Sequence, residues 1–224
     1  MIMVHPDLEK MIEIKNKKAS EWIIESPELF SQYLIELSLQ INGESGRFVL
    51  SDNDKEMDFS KYAAIILNPL EISLNDKKII SKIYSHLKEV AVNETYYMRT
   101  KEILSMFQRY LLELEYNCDV TLQINEDVDL QGVFKLFGIK IEEESLSFFE
   151  RLLEYIRIQS IILGKKLIIL VNIRSYLTEQ QLEDLFLFIQ YNEIEVLMIE
   201  SFQRDFTNVT NKYIIDKDIS RITF

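Results

Sequence analysis

Apolar and polar residues alternate over Met11-Ile12-Glu13-Ile14-Lys15, and Glu21-Trp22-Ile23-Ile24-Glu25 follows as a second strand-like segment. Period-two alternation predicts strands, and the polar Asn16-Lys17-Lys18 between them predicts a hairpin. Ser26-Pro27-Glu28 then predicts a helix start, with Ser26 as N-cap and Pro27 in the first turn. That helix runs through Phe30, Leu34 and Leu37 to near Ile41, with Gly43 beyond its end. Arg47 to Leu50 and the apolar Tyr62 to Leu67 read as strands, the latter closed by Asn68-Pro69.

From Leu74 to Tyr116 there is no Gly or Pro. Ile79, Ile80, Ile83, Leu87 and Val90 form one apolar face at helical spacing. Ile103, Leu104, Phe107, Leu111 and Leu114 form another, and Asn93-Glu94-Thr95 predicts a break between two helices. Val120 to Ile124 alternates briefly. Asp129 to Phe137 and Ser145 to Leu163 predict helices ended by Gly138 and Gly164. Leu167 to Val171 is an apolar strand. Thr178-Glu179-Gln180-Gln181 has capping-box spacing before a helix to near Gln190. Glu195 to Ile199 is a second apolar strand, so the unit reads as a parallel βαβ crossover. Tyr213 to Ile215 and Arg221 to Phe224 predict a terminal pair of short strands. The fold class is therefore α/β: a sheet domain from both ends of the chain, residues 1–72 and 165–224, with a helical domain over 73–164 inserted between them.

Composition narrows the function. Hydrophobic residues make up 47% of 224, with 5 Gly and 3 Pro, which is globular rather than linker-like. Cys118 is the only cysteine, which excludes an intrachain disulfide and fits a reducing compartment. Residues 1–18 carry no signal-peptide pattern. Apolar runs such as Ala63–Leu67 span five residues, against the roughly twenty of a membrane helix. A cytoplasmic protein without a membrane partner is the expectation. The net charge of -12 opposes nucleic-acid binding unless charge is segregated or neutralised by metal.

Catalytic sets are thin. A phosphate loop needs Gly-x-x-x-x-Gly-Lys-[Ser/Thr], and Gly43-Glu44-Ser45-Gly46-Arg47 lacks both the spacing and the Lys-Ser/Thr pair. The position after the apolar strand 167–171, where a magnesium-holding acid would be expected, is Asn172. His5 and His86 lie far apart, and no basic residue neighbours Cys118 in sequence. The stretch from Tyr110 to Phe134 holds no Lys or Arg but carries Glu113, Glu115, Asp119, Glu126, Asp127 and Asp129, followed by Glu142 to Glu144 and Glu150. From residues alone a solvated acidic face is the plainer account. Calcium, which takes six to eight oxygens, is the other.

The ordered set Phe134-Lys135-Leu136-Phe137-Gly138-Ile139-Lys140-Ile141-Glu142, Phe149-Glu150-Arg151, Lys165-Lys166-Leu167 through Asn172, Tyr176-Leu177-Thr178 and Val196 through Glu200 resembles the type II-A CRISPR accessory protein of the Csn family. Met11 to Glu25 followed by Phe30 is similar too. The resemblance implies a P-loop-ATPase-like sheet domain without its phosphate loop, and an extended helical leg. It implies a homotetrameric ring that encircles double-stranded DNA from its ends, calcium ions that stabilise the ring, and no catalytic activity. It further implies a role in spacer acquisition beside the Cas integrase complex and the RNA-guided nuclease. On that footing the metal candidates are Glu126, Asp127 and Glu142, then Asp119, Asp129 and Glu150. The DNA candidates are Lys15, Lys17 and Lys18 around the predicted turn, Lys135 and Lys140 flanking Gly138, Arg151 and Arg157 on one helix, and Lys165-Lys166 after it. Phosphate contacts of this kind are sequence-independent and salt-sensitive. Other classes stay open: a degenerate P-loop-like enzyme that binds nucleotide or cleaves nucleic acid with the acidic cluster, or a protein-only scaffold favoured by the charge.

Overall fold

The computed structural model describes residues 1–14, 19–125, 127–204, 211–215 and 221–223. The chain divides into two units, Met1–Leu74 with Glu143–Phe224, and Asn75–Glu142. The first begins with β1 (Ile2–Val4), β2 (Ile12–Glu13) and β3 (Ala19–Ile24). β2 pairs antiparallel with β1, whereas β3 lies in another sheet, so the hairpin expected over 11–25 does not form. The reason is burial. All six residues of β3 are buried, as a central strand covered on both faces requires.

Helix α1 (Pro27–Ile41) follows, with the Ser26 hydroxyl accepting from the Leu29 N–H at 3.4 Å. β4 (Val49–Asp52) and β5 (Lys55–Met57) form a hairpin whose turn residues, Asn53 and Asp54, have φ of 49° and 60°. Positive φ at both positions is what a two-residue hairpin turn demands. A single turn, α2 (Phe59–Tyr62), enters β6 (Ala63–Ile66).

The second unit holds α3 (Lys77–Ala91), α4 (Tyr97–Glu115) and α5 (Leu130–Leu136). The break between α3 and α4 falls at the expected Asn93–Thr95. No strand forms over Val120–Ile124. The chain then rejoins the first unit with α6 (Phe148–Ile161), β7 (Leu167–Val171), α7 (Glu179–Tyr191), β8 (Glu195–Glu200), β9 (Lys212–Ile215) and β10 (Arg221–Thr223). The expected boundary at 164/165 moves to 142/143. α6 buries Leu152, Ile156 and Ile158 and packs on β7, so it belongs to the sheet rather than the leg. The chain's crossing points are tied within each unit. Glu143 accepts from the Leu74 N–H at 2.6 Å and from the Ser73 hydroxyl at 3.2 Å. Asn75 exchanges two hydrogen bonds with the Ile141 backbone, at 2.8 and 3.0 Å.

The larger sheet has the order β10-β9-β3-β8-β7-β6, parallel from β9 to β6, with β10 antiparallel at the edge. The smaller sheet has the order β2-β1-β4-β5. Between them and α1 lies a core that includes Trp22, Tyr33, Leu37, Phe48, Leu50 and Ile199. Gln40 sits under this layer. Its amide donates to the Phe48 carbonyl at 2.9 Å and accepts from the Phe48 N–H at 3.0 Å. A Cβ on Gly46 would collide with that side chain. Gly46→Ala is therefore expected to displace Gln40, orphan two buried backbone groups and cost about 1–3 kcal/mol in a urea melt.

Candidate functional site

A doubly wound sheet holds its ligand beyond the carboxyl ends of its strands, where the strand order reverses. Here the chain leaves β3 toward β6 and returns past it to β9, so the reversal falls between β3 and β8. A P-loop would occupy the link from β3 to α1. That link is two residues, Glu25 and Ser26. A helix N-terminus binds phosphate through unpaired amides and its positive dipole end. Pro27 removes one amide, the Ser26 side chain caps another, and Glu25 and Glu28 add negative charge. The glycine loop 43–47 lies at the other end of α1, where the dipole is negative.

The rest of the crevice is occupied by the protein's own charges. Asn172, left-handed at φ 49°, accepts from the Ser201 N–H at 2.9 Å and donates its own N–H to the Ile199 carbonyl at 2.9 Å. It splices β7 to the end of β8 and offers no carboxylate for a metal. Arg174 is 4% exposed, and its guanidinium reaches Glu21 Oε1 at 2.7 Å. The Arg174 backbone N–H donates to Glu200 Oε1 at 3.2 Å. Lys212 Nζ stands 4.0 Å from Glu21 Oε2. Arg204 donates to the Arg174 carbonyl and, at 3.2 Å, to the Ser175 hydroxyl, while its guanidinium covers the Phe202 ring. Glu21 pairs in register with Met198, two residues from Glu200, so both carboxylates share one sheet face. Burial pushes the Glu200 carboxyl up to about 7, against the pull of the Arg174 amide, and the Glu21 charge adds to the rise.

Nothing local in the sequence marks this network, because Glu21 stands at the start of the strand-like segment 21–25, where a charged residue is ordinarily exposed. The available signal was an acid in each of two otherwise largely apolar strands, Glu21 within β3 and Glu200 at the end of β8, since buried charges require partners.

The candidate DNA residues are distributed. Lys15, Lys17 and Lys18 lie outside the described residues. Lys135 and Lys140 are exposed in the second unit. In the first unit Arg151 is half-buried, and exposed Arg157 sits 3.6 Å from Glu154 one turn earlier. Lys165 turns inward and donates to the Ser60 carbonyl at 2.7 Å. Lys166 lies over the Tyr62 ring, 5.2 Å from its centre.

The candidate metal ligands are not brought together. Glu126 lies outside the described residues. Asp129 caps α5, accepting from the Gln131 and Gly132 N–H groups at 3.1 Å each. Glu150 closes the α6 capping box, and the Ser147 hydroxyl, then the Ser147 amide, hold its carboxyl below the usual range. Glu142 and Asp127 are exposed. Asp119 lines an open cavity of about 670 Å³ beside Glu115, Tyr116 and Cys118. Among the described residues no three His, Cys, Asp or Glu side chains converge on one point.

The fold is thus α/β, with a mainly parallel sheet whose carboxyl end is filled by an internal ion network and offers neither a phosphate loop nor a magnesium-holding acid among the described residues. The model of the CRISPR-associated protein (Cas_Csn2) family matches residues 40–219, and the chain belongs to that family. Its role is accordingly CRISPR-related. It is 28% identical over 223 residues to CRISPR-associated protein Csn2 of Enterococcus faecalis, covering 94% of this chain and 93% of that one. It is 30% identical over 107 residues to CRISPR-associated protein Csn2 of Streptococcus agalactiae, covering 48% and 43%. Among solved structures it is similar to cbiO1 from Clostridium perfringens, part of the ABC transporter complex cbiONQ, at a TM-score of 0.47 and 13% identity, covering 93% and 77%. The ADP conformation of MJ1267, an ATP-binding cassette of an ABC transporter, gives 0.47 and 9%, covering 93% and 80%. Likeness this distant says nothing of what this chain binds. Among the described residues no helix is long and apolar enough to cross a membrane.

Proposed function

We propose that the protein is a non-catalytic, cytoplasmic accessory of CRISPR spacer acquisition. It assembles as a homotetrameric ring, encircles double-stranded DNA at its ends without reading sequence, and works beside the Cas integrase complex and the RNA-guided nuclease of a type II-A system. Family membership supplies the setting. The observation that carries the assembly is α4. Its 19 residues include none that is buried, yet Ile103, Met106, Phe107, Tyr110 and Leu114 recur every three or four positions and are all exposed. An apolar stripe of this length in an acidic chain calls for cover, and a second copy supplies it most economically. The absence of catalysis is supported by what fills the crevice: Pro27, Glu28, Asn172 and the Arg174 network.

Calcium enters on chemistry. Asp119 and Asp127 are exposed carboxylates, and the ion needs six to eight oxygens. Glu126, waters or a second copy would have to supply the remainder. The net charge of -12 keeps a protein-only scaffold as the second reading.

Two experiments test the proposal. A labelled linear duplex is titrated with protein in calcium, in magnesium and in chelator, with cleavage followed alongside binding. Binding without cleavage is expected; cleavage would favour the enzyme reading and absence of binding the scaffold. Separately, Phe107→Glu with Tyr110→Glu is expected to lower the solution mass toward the 26.6 kDa of one chain while helical content is unchanged. An unaltered oligomer would remove α4 from the interface.

A further inference from the structure

The amino ends of β6 and β7 carry three lysines, two of them over one aromatic ring. β6 and β7 pair in parallel from Ala63 and Leu167, which sets Tyr62 beside Lys166, and the Lys166 N–H donates to the Tyr62 carbonyl at 2.7 Å. Lys61 Nζ lies 5.0 Å from the Tyr62 ring centre and Lys166 Nζ 5.2 Å, so the two ammonium groups are at most 10.2 Å apart, the sum of those distances. Both side chains are exposed.

The third lysine is balanced. Lys165 donates to the Ser60 carbonyl, and its charge helps lower the Asp58 carboxyl, which the Ser60 hydroxyl and amide lower more. Asp58 in turn is held at 2.7 and 2.8 Å by those Ser60 groups. Lys61 and Lys166 have no such acid: among the described residues neither forms an ion pair. In a chain with 37 acids to 25 bases, two neighbouring unneutralised ammoniums fixed on one ring are a local reversal of sign. Holding like charges together is unfavourable until an anion sits between or above them. The ring limits the freedom each side chain would lose on binding one.

This corner lies at the opposite end of the sheet from the crevice sealed by Arg174. We infer that Lys61 and Lys166, oriented by Tyr62, form a phosphate-contacting site through which the sheet unit holds the backbone of duplex DNA, while Lys165 is a structural lysine that leaves the DNA untouched. The inference rests on the DNA-binding reading above and adds two residues to it, Lys61 and Tyr62, the second of which opens the apolar segment 62–67 expected as a strand.

The test is the salt dependence of duplex binding, measured by fluorescence anisotropy on two linear duplexes of unrelated sequence between about 50 and 200 mM salt. Removing one lysine from a phosphate lowers the slope of log K against log salt by about one. Lys61→Gln and Lys166→Gln are each expected to lower it by at least about one, equally on both sequences, and the double variant by at least about two. Lys165→Gln is expected to leave the slope alone and to lower the melting temperature instead. Tyr62→Phe keeps the ring and is expected to match wild type. A double variant with the wild-type slope overturns the site while leaving DNA binding intact. A slope lowered equally in Lys165→Gln overturns the division of roles. Wild-type protein that does not bind either duplex at the lowest salt overturns the DNA-binding reading, and the site with it.

Discussion

Arg174→Met is expected to destabilise the protein by about 3–5 kcal/mol in a urea melt. The substitution nearly preserves volume but strands Glu21, a residue with no exposed surface, whose other cation is Lys212 at 4.0 Å. It also removes one tie to the segment after β8, the 3.4 Å contact from the Arg174 guanidinium to the Arg204 carbonyl, while the bonds from Arg204 to the Arg174 carbonyl and the Ser175 hydroxyl remain. Breaking one side of a buried pair costs far more than removing both. Arg174→Met with Glu21→Met is therefore expected to recover most of the loss, and a double-mutant cycle isolates the coupling. A single-variant cost under about 1 kcal/mol would mean that water reaches the pair and screens it.

The second large effect is a dependence on pH carried by Glu200. Its carboxyl is pushed up to about 7 in the folded protein, above the ordinary value of 4.5. The folded state therefore holds this proton over a range where the unfolded chain has released it. The favourable contribution is complete below about 4.5 and is lost as pH rises to about 7, in total about 3 kcal/mol. Glu200→Gln keeps an acceptor for the Arg174 N–H and cannot ionise. The difference between wild-type and variant stability is expected to change by that amount between about pH 4.5 and 8, in the variant's favour at the alkaline end. Parallel curves would place the Glu200 carboxylate in a better compensated site than its burial implies.

Much of the fold could be read from local signals. Ser26-Pro27, Thr178 to Gln181, Gly138 and Gly164 marked helix ends through caps and left-handed turns that act within a few residues. The break at Asn93–Thr95 and the βαβ unit of β7, α7 and β8 were legible for the same reason. Pairing was not. Nothing within residues 11–25 says that β2 joins a strand from residues 2–4 while β3 takes partners from the far end of the chain. The β4–β5 turn carried a usable signal in Asn53-Asp54, which tolerate positive φ. The boundary at 142/143 depended on which surface covers Leu152 and Ile156, a tertiary fact.

The candidate site divided along the same line. The lack of a phosphate-loop motif was visible, but the network of Glu21, Arg174 and Glu200 required three distant segments to meet. Lys165 and Lys166 were equivalent in sequence, and only the structure separates one turned onto Ser60 from one lying on Tyr62. The acidic stretch read as a single cluster, yet Asp129 and Glu150 are each engaged in capping a helix, which is the commonest use of an acid at those positions.

The central claim is a ring, and solution mass tests it most directly. Four copies of a 26.6 kDa chain give about 106 kDa by light scattering. That mass is expected in calcium, with loosening or dissociation in excess chelator. A single-chain mass in both conditions would contradict the encircling mechanism, whatever family the chain belongs to.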